Sequence, residues 1–279
     1  MLKNMTNKVV YLAMKAGELI ITVYNDPTNM AVSYKDDKSP LTQADLLAND
    51  YLVKHLKSVY ECPIISEESK KVPYEERKDY TYYWLVDPLD GTKEFVKRNG
   101  QFTVNVALME RSVSGCVSPI LGVVYVPVSG ESYYAYKSGG AWYLTDKTAK
   151  RIHISDTYAH KSPLRVVCSN SHTSKGTSNF ISCLNIKTEL TEVRIGSSLK
   201  FMRVAEGKAD IYPRLTPCME WDTAASHIIV NEAGGQIEEI SPEGNLMDKT
   251  LDYNKESLLS PFFVVWGSKL IKKDFFIVN

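Results

Sequence analysis

Residues 82–86, Tyr-Tyr-Trp-Leu-Val, run without a break into Asp87-Pro88-Leu89-Asp90-Gly91-Thr92. The apolar run predicts a buried strand, and a buried strand needs sheet neighbours for its backbone. Pro88 fixes φ and cannot continue a central strand, so the chain turns there. That turn can aim the Asp87 and Asp90 carboxylates and the Leu89 carbonyl at one point. Gly91 permits close backbone approach, and Thr92 begins a helix whose free N–H groups suit a phosphate. Carboxylates beside a phosphate repel it unless a cation lies between them. Oxygen-only ligands favour Mg2+ or Mn2+ over zinc. The same residue types also make ordinary solvated turns, so the reading rests on what accompanies the turn.

Three further acidic positions accompany it. Glu67 and Glu68 follow the short strand predicted at Ile64-Ile65. Asp222 follows Glu220-Trp221 at the start of an apolar helix, where a simple helix cap is the competing explanation. Together with the turn, these element-end acids are best explained by a two-metal site. Asp45 lies in Thr42-Gln43-Ala44-Asp45, a capping box with Asp for the usual Glu. A capping Asp can still face a cleft, so both roles stand at this point.

The chain has 279 residues, enough for one large domain or two lobes at about 150 residues each. Residues 1–157 read as an α+β lobe. Its first helix carries Met5, Val9, Leu12, Ala16, Ile20 and Val23, and stops at Asn25-Asp26-Pro27. Thr42 opens a second helix with the stripe Leu46, Leu47, Tyr51, Val53 and Leu56. Both helices cover a mostly antiparallel sheet, whose residues 102–110 alternate as a half-buried strand. Residues 70–80 are charged and predict a surface loop. Residues 158–279 read as alternating α/β, with a helix at 222–233 closed by Gly234-Gly235. A C-terminal helix is expected after a strand at 262–266.

Lys+Arg and Asp+Glu are both 33, so a broadly basic nucleic-acid surface is excluded. Cys62, Cys116, Cys168, Cys183 and Cys218 are scattered with no CxxC pair; they read as small buried hydrophobes in a reducing compartment. Lys15 and Glu18 interrupt the N-terminal apolar positions, and no apolar stretch approaches ~18 residues. A cytoplasmic protein with no transmembrane segment is expected. Ser197 and Lys200, spaced i,i+3 at a helix start, and Arg214 make a compact anion pocket in the second lobe.

Ser66-Glu67-Glu68-Ser69, residues 84–92 and Trp221-Asp222-Thr223-Ala224-Ala225 resemble, in order and separation, the three signature motifs of the inositol monophosphatase superfamily. The resemblance covers nearly the whole chain. Within that superfamily, residues 91–95, 99–105 and Gly196-Ser197-Ser198-Leu199-Lys200-Phe201 resemble the bacterial 3′(2′),5′-bisphosphate nucleotidases. The resemblance implies a layered αβαβα sandwich of two lobes with the site between them. It implies removal of the 3′-phosphate from adenosine 3′,5′-bisphosphate, giving AMP, and inhibition by lithium. It assigns two or three Mg2+ ions, replaceable by Mn2+, to Glu67, Asp87, the Leu89 carbonyl, Asp90 and Asp222. Asp45 and Thr92 would activate water, with Glu67 as the rival base. The substrate would meet Glu67, Leu89, Asp90, Gly91, Thr92 and Asp222 on one side and His172, Ser197, Lys200 and Arg214 on the other. By the same analogy the chain can sit on the inner membrane face; its oligomeric state is left open. Residues 111–118 are slightly longer than the family hairpin.

Three other readings compete. An inositol monophosphatase or sugar-phosphate phosphatase is opposed by Lys93-Glu94 and the Ser197, Lys200, Arg214 set. A haloacid-dehalogenase phosphatase would need Asp-x-Asp-Gly-Thr, whereas the spacing is Asp-x-x-Asp. A Mg2+-dependent phosphonucleotide-binding protein would lack the water-activating pair.

Overall fold

Helical spacing of apolar residues produces the outermost layer. α1 (Leu2–Asn25) buries Val9, Ala13, Ala16 and Ile20, and ends where Asp26 turns extended. The ribbon of β1 (Val32–Tyr34) and β2 (Pro40–Thr42) leads into α2 (Gln43–Val59). The computed structural model describes residues 1–26, 32–34, 40–146, 148–155, 163–170, 174–185, 188–268 and 271–272. α2 packs on α1 through Ala44, Ala48, Leu52 and Leu56. Of the expected stripe only Leu56 is buried; Leu46 and Leu47 are 43% and 37% exposed. Short side chains at Ala44 and Ala48 let the two helix backbones approach, so size overrides hydrophobicity in choosing the face.

The next layer is a sheet. β3 (Ile64–Ser66) is followed by the short α3 (Tyr74–Arg77), then β4 (Tyr82–Asp90), α4 (Thr92–Val96), β5 (Thr103–Arg111), β6 (Val117–Val126), β7 (Glu131–Tyr136), β8 (Ala141–Leu144) and β9 (Ala149–Ile152). Among the described residues these make seven strands in the order β3-β4-β5-β6-β7-β8-β9, parallel only at β3-β4. Trp84 and Val86 face α1 and α2; Tyr83 and Leu85 belong to the opposite core. β5 is buried on both faces from Thr103 to Met109, not half-buried, because helices cover both sides of the sheet.

The second half supplies the remaining layers: β10 (Leu164–Ser169), α5 (Lys175–Asn185), β11 (Leu190–Ile195), α6 (Leu199–Ala205), β12 (Ile211–Arg214), β13 (Cys218–Met219), α7 (Glu220–Glu232), β14 (Gln236–Glu239), β15 (Leu259–Ser260) and β16 (Phe263–Trp266). Five of these strands form a mixed sheet in the order β11-β10-β12-β16-β14 among the described residues. α7 and α6 fill the space between the two sheets, and Phe180, Ile181 and Leu184 of α5 cover the far side. The layers are therefore α, β, α, β, α. α7 lies close on β6 because Gly122 has no side chain: a Cβ there would fall 2.4 Å from the Ala225 carbonyl oxygen.

Two local readings change. The segment at 70–80 is not wholly a surface loop. Arg77 is 2% exposed and donates to Asn254 Oδ1 at 2.6 Å and to the carbonyls of Lys255 and Glu256 at 2.9 and 2.7 Å. Partners that distant in sequence are what allow a guanidinium to be buried. Of the cysteines, Cys168 and Cys218 are buried, Cys62 is half-buried, and Cys116 and Cys183 are exposed. No described helix is long and apolar enough to cross a membrane. Most of the expected C-terminal helix lies outside the described residues.

Candidate active site

The acidic turn depends on an extra residue in β4. Asp87 pairs with Asn105 of β5, while Asp90 pairs with Thr103. Three steps along β4 thus match two along β5, which is a bulge at Pro88-Leu89. In a regular strand residues three apart point to opposite faces; the bulge returns both carboxylates to one face. Asp87 is 1% exposed, and its Oδ1 accepts the Leu89 N–H at 3.0 Å, which holds the turn closed. Glu67 stays beside the end of β4 because its N–H donates to the Val86 carbonyl at 3.1 Å. Asp222 stands three residues beyond the N-cap of α7, and its Oδ2 accepts the Met219 N–H at 3.0 Å. Asp222 is therefore not the N-cap itself but the residue that bonds back to it, and it also lines the cleft.

Glu67, Asp87 and Asp222 each place a carboxylate oxygen within 4.8 Å of the others. Burial, then Glu67, Asp90 and Asp222, drive the Asp87 carboxyl well above the ordinary carboxylate range. Lost hydration and the Asp90 charge push Asp222 up to about 7, with Arg214 opposing and Glu67 adding to it. Like charges crowded in a desolvated cleft, all on oxygen, fit a hard divalent cation. Asp90 and Leu89 line the same cavity as this group. Asp90 Oδ2 is held from behind, 2.8 Å from Ser198 Oγ and 3.4 Å from both Thr103 Oγ1 and Asn105 Nδ2.

Thr92 opens α4, whose N-cap Gly91 sits at φ 95°, a conformation that needs no side chain. The Thr92 hydroxyl donates to Asp45 Oδ1 at 3.2 Å. Asp45 itself is 1% exposed and lies behind Thr92, outside the cavity lining.

The other wall is cationic. Lys200 is 4% exposed; its ammonium donates to the Ser197 carbonyl at 2.7 Å and lies 5.7 Å from the centre of the Tyr212 ring. Burial and the neighbouring Arg214 lower its pKa to about 8. Arg214 donates to Tyr212 Oη at 3.4 Å and to the Pro217 carbonyl at 3.2 Å. Its Nε and the Ser197 hydroxyl are buried with no hydrogen-bond partner among the described residues. Both residues line the cavity, where anionic oxygens could satisfy them.

One cavity of about 230 Å³ therefore joins Glu67, Asp87, Leu89, Asp90, Gly91, Thr92 and Asp222 to Ser197, Lys200 and Arg214. Glu68 is not on its wall, and His172 lies outside the described residues. Ser198, not Ser197, is the N-cap of α6, yet its hydroxyl serves Asp90 and not the helix. Pro40, Lys93, Glu94 and Ser169 also line the cavity and were given no place in it from sequence. Thr103 and Asn105 were likewise passed over. Their signal was available: polar residues at alternate positions of an apolar strand need buried partners.

A model of the inositol monophosphatase family matches residues 1–262. The chain is 43% identical over 263 residues to the 3′(2′),5′-bisphosphate nucleotidase CysQ of Salmonella typhimurium strain LT2, covering 94% of this chain and 99% of that one. Against the protein of the same name in Escherichia coli strain K12 the identity is 41% over 263 residues, with the same shares of each chain. The crystal structure of CysQ from Bacteroides thetaiotaomicron, described as a bacterial member of the inositol monophosphatase family, matches with a TM-score of 0.80 at 37% identity, over 95% of this chain and 97% of that one.

Proposed function

The chain belongs to the inositol monophosphatase family, and we propose that it is a 3′(2′),5′-bisphosphate nucleotidase. On this reading it is a metal-dependent phosphatase that removes the 3′-phosphate of adenosine 3′,5′-bisphosphate, leaving AMP. The observation that carries the reading is the shared cavity, with the acidic group on one wall and Lys200 and Arg214 on the other. A phosphomonoester needs the acids only through a cation, and a second phosphate on the same substrate needs the cationic wall.

Glu67, Asp87, the Leu89 carbonyl, Asp90 and Asp222 would hold Mg2+, as two or three ions, with Mn2+ as a substitute. Bound there, the cation would lower the pKa of the attacking water and offset the phosphate charge. Thr92 would accept a hydrogen bond from that water, its own proton going to Asp45 Oδ1 at 3.2 Å in preference to the Leu89 carbonyl at 3.4 Å. Asp45 is anchored by its helix, so the acceptor needs no rearrangement when water arrives. Ser197, Lys200 and Arg214 orient the nucleotide by its second phosphate. The lobes divide near residues 157–158: the first supplies the water-activating pair and most acids, the second the cations and Asp222.

The test is kcat/KM for phosphate release from adenosine 3′,5′-bisphosphate, inositol 1-phosphate and fructose 1,6-bisphosphate, each with and without Mg2+. A clear preference for the nucleotide is expected. Equal or greater turnover of inositol 1-phosphate, or undiminished activity in EDTA, overturns the assignment.

A further inference from the structure

Gln101, Thr103 and Asn105 stand at alternate positions leading into β5, so their side chains share one face of the first sheet. Thr103 and Asn105 are 0% and 1% exposed. Asn105 Nδ2 donates to Ser198 Oγ at 2.9 Å, and Ser198 Oγ lies 2.8 Å from Asp90 Oδ2 and 3.2 Å from the Asp222 carbonyl oxygen. Thr103 Oγ1 lies 3.1 Å from Asn105 Oδ1 and 3.4 Å from Asp90 Oδ2. Gln101 Oε1 accepts two bonds, from the Gly196 N–H at 2.8 Å and from Asn170 Nδ2 at 2.7 Å. Those two donors follow directly on β11 and β10, neighbours in the second sheet. A single strand of the first sheet and its lead-in therefore grip both the acidic turn and the start of α6, where Ser197 and Lys200 stand.

We infer that Asn105 and Ser198 are positioning residues that couple cation binding at the acidic turn to anion binding at the start of α6, where Ser197 and Lys200 stand, and that Gln101 positions the anion side alone. Ser198 is the joint. Its hydroxyl fixes Asp90, and the adjacent Ser197 carbonyl holds the Lys200 ammonium at 2.7 Å. A cation that draws Asp90 into place also sets this helix start, and an anion there favours the same Asp90 orientation. Coupling of this kind is reciprocal. Buried hydrogen-bond networks transmit it well because each member has few alternative partners. Among the described residues the Gln101 side chain bonds to Gly196 and Asn170, on the anion side, so its effect is confined to anion binding. The inference rests on reading the acids as the cation site and Lys200 with Arg214 as the anion pocket.

The experiment is a thermal-shift titration with MgCl2, with and without AMP, whose phosphate takes the cationic wall, alongside steady-state kinetics. In the unaltered protein this phosphate should lower the Mg2+ concentration for half-maximal stabilisation several-fold. Ser198→Ala should reduce that shift to less than about twofold while Mg2+ alone still stabilises; each tenfold is ~1.4 kcal/mol of coupling. Ser198→Cys keeps the volume and gives the same reading if the alanine variant does not fold. Gln101→Leu should raise KM for adenosine 3′,5′-bisphosphate about tenfold, as expected for losing one or two hydrogen bonds. Its kcat and Mg2+ requirement should stay the same. Full phosphate coupling in both Ser198 variants, or a Gln101→Leu protein that only melts earlier, overturns the inference. Failure of the unaltered protein to hydrolyse the nucleotide overturns the nucleotidase reading instead, and the Mg2+–phosphate coupling still decides the role of Ser198.

Discussion

Asp45 divides its carboxylate between two elements: Oδ2 accepts from the Thr42 N–H at 2.7 Å and the Thr42 hydroxyl at 2.5 Å, while Oδ1 accepts from the Thr92 hydroxyl at 3.2 Å. The first pair caps α2, and the second reaches the acidic turn. Capping and facing the site are therefore not rival roles. The cap fixes the rotamer in which Oδ1 meets Thr92.

Thr92→Val keeps the shape of the side chain and removes its hydroxyl; Asp45→Asn keeps the shape and removes the charge. Each should lower kcat by ~10²–10⁴, the usual loss for a general base. The double variant should be no worse than the poorer single one, because the pair acts as a unit. Phosphate-release kinetics decide the matter, with thermal shifts by Mg2+ and AMP as the control for binding. Normal kcat in Asp45→Asn would reduce Asp45 to a cap and hand the proton to Glu67 or solvent.

Arg214→Ala should act on recognition. Losing a charged hydrogen-bond donor costs about 1.5–3 kcal/mol, or roughly 10–100-fold in KM for adenosine 3′,5′-bisphosphate. Residual hydrolysis of inositol 1-phosphate should change far less. Arg214→Lys should not restore the loss, since an ammonium lacks the planar fork. Equal losses on both substrates would remove Arg214 from nucleotide recognition.

Removing the divalent cation should make stability depend on pH. Asp222 carries a folded-state pKa of about 7 against 3.8 for an ordinary aspartate, and Asp87 is raised as well. A raised pKa favours the fold at low pH, and that advantage is lost as pH climbs through the folded value. His227 works in the opposite sense: burial lowers it to about 4 from 6.5, so its contribution is lost as pH falls through that window. The increment in Tm on adding Mg2+ isolates the carboxylates, and it should be larger at pH 8 than at pH 6. Asp90→Asn should shrink the increment and abolish turnover. A pH-independent increment would contradict a cation seated among these acids.

Gly122→Ala should destabilise the protein by about 1–3 kcal/mol in chemical denaturation, the usual cost of overpacking. The added Cβ would fall 2.4 Å from the Ala225 carbonyl oxygen and 2.6 Å from Ile228 Cγ2, so α7 must shift off the sheet. Because Asp222 rides on α7, the Mg2+ requirement should rise together with the loss of stability. An unchanged denaturation midpoint would mean that the helix yields without strain.

The acidic turn was legible from residues because its parts are local: an apolar strand, a proline and two carboxylates within nine positions, 82–90. The bulge that makes a three-residue spacing work was not, since it is defined by pairing with Asn105 and Thr103. The buried face of α2 was misjudged because several faces of a helix can look apolar, and fit against α1 chose the small Ala44 and Ala48 over Leu46 and Leu47. Arg77 looked like solvent-facing charge because its partners, Asn254, Lys255 and Glu256, lie 177 to 179 residues away. Of the supports of Asp90, Ser198 was missed for the same reason, being 108 residues distant, whereas Thr103 and Asn105 stand only 13 and 15 residues away. Local chemistry announces itself in sequence, whereas the groups that hold it still are chosen by topology.

The placement of α7 bears on how the molecule comes apart. One apolar cluster runs from Tyr83 and Leu85 of β4 through Ala224, Ile228 and Ile229 of α7 to Tyr212, Phe263 and Val265 of the second sheet. Neither sheet can melt alone without stripping a wall from the helix that completes the other. Heating should therefore give a single absorption peak, with calorimetric and van 't Hoff enthalpies equal. Two sheets then behave as one thermodynamic unit, and the acidic cleft between them is lost only when everything unfolds.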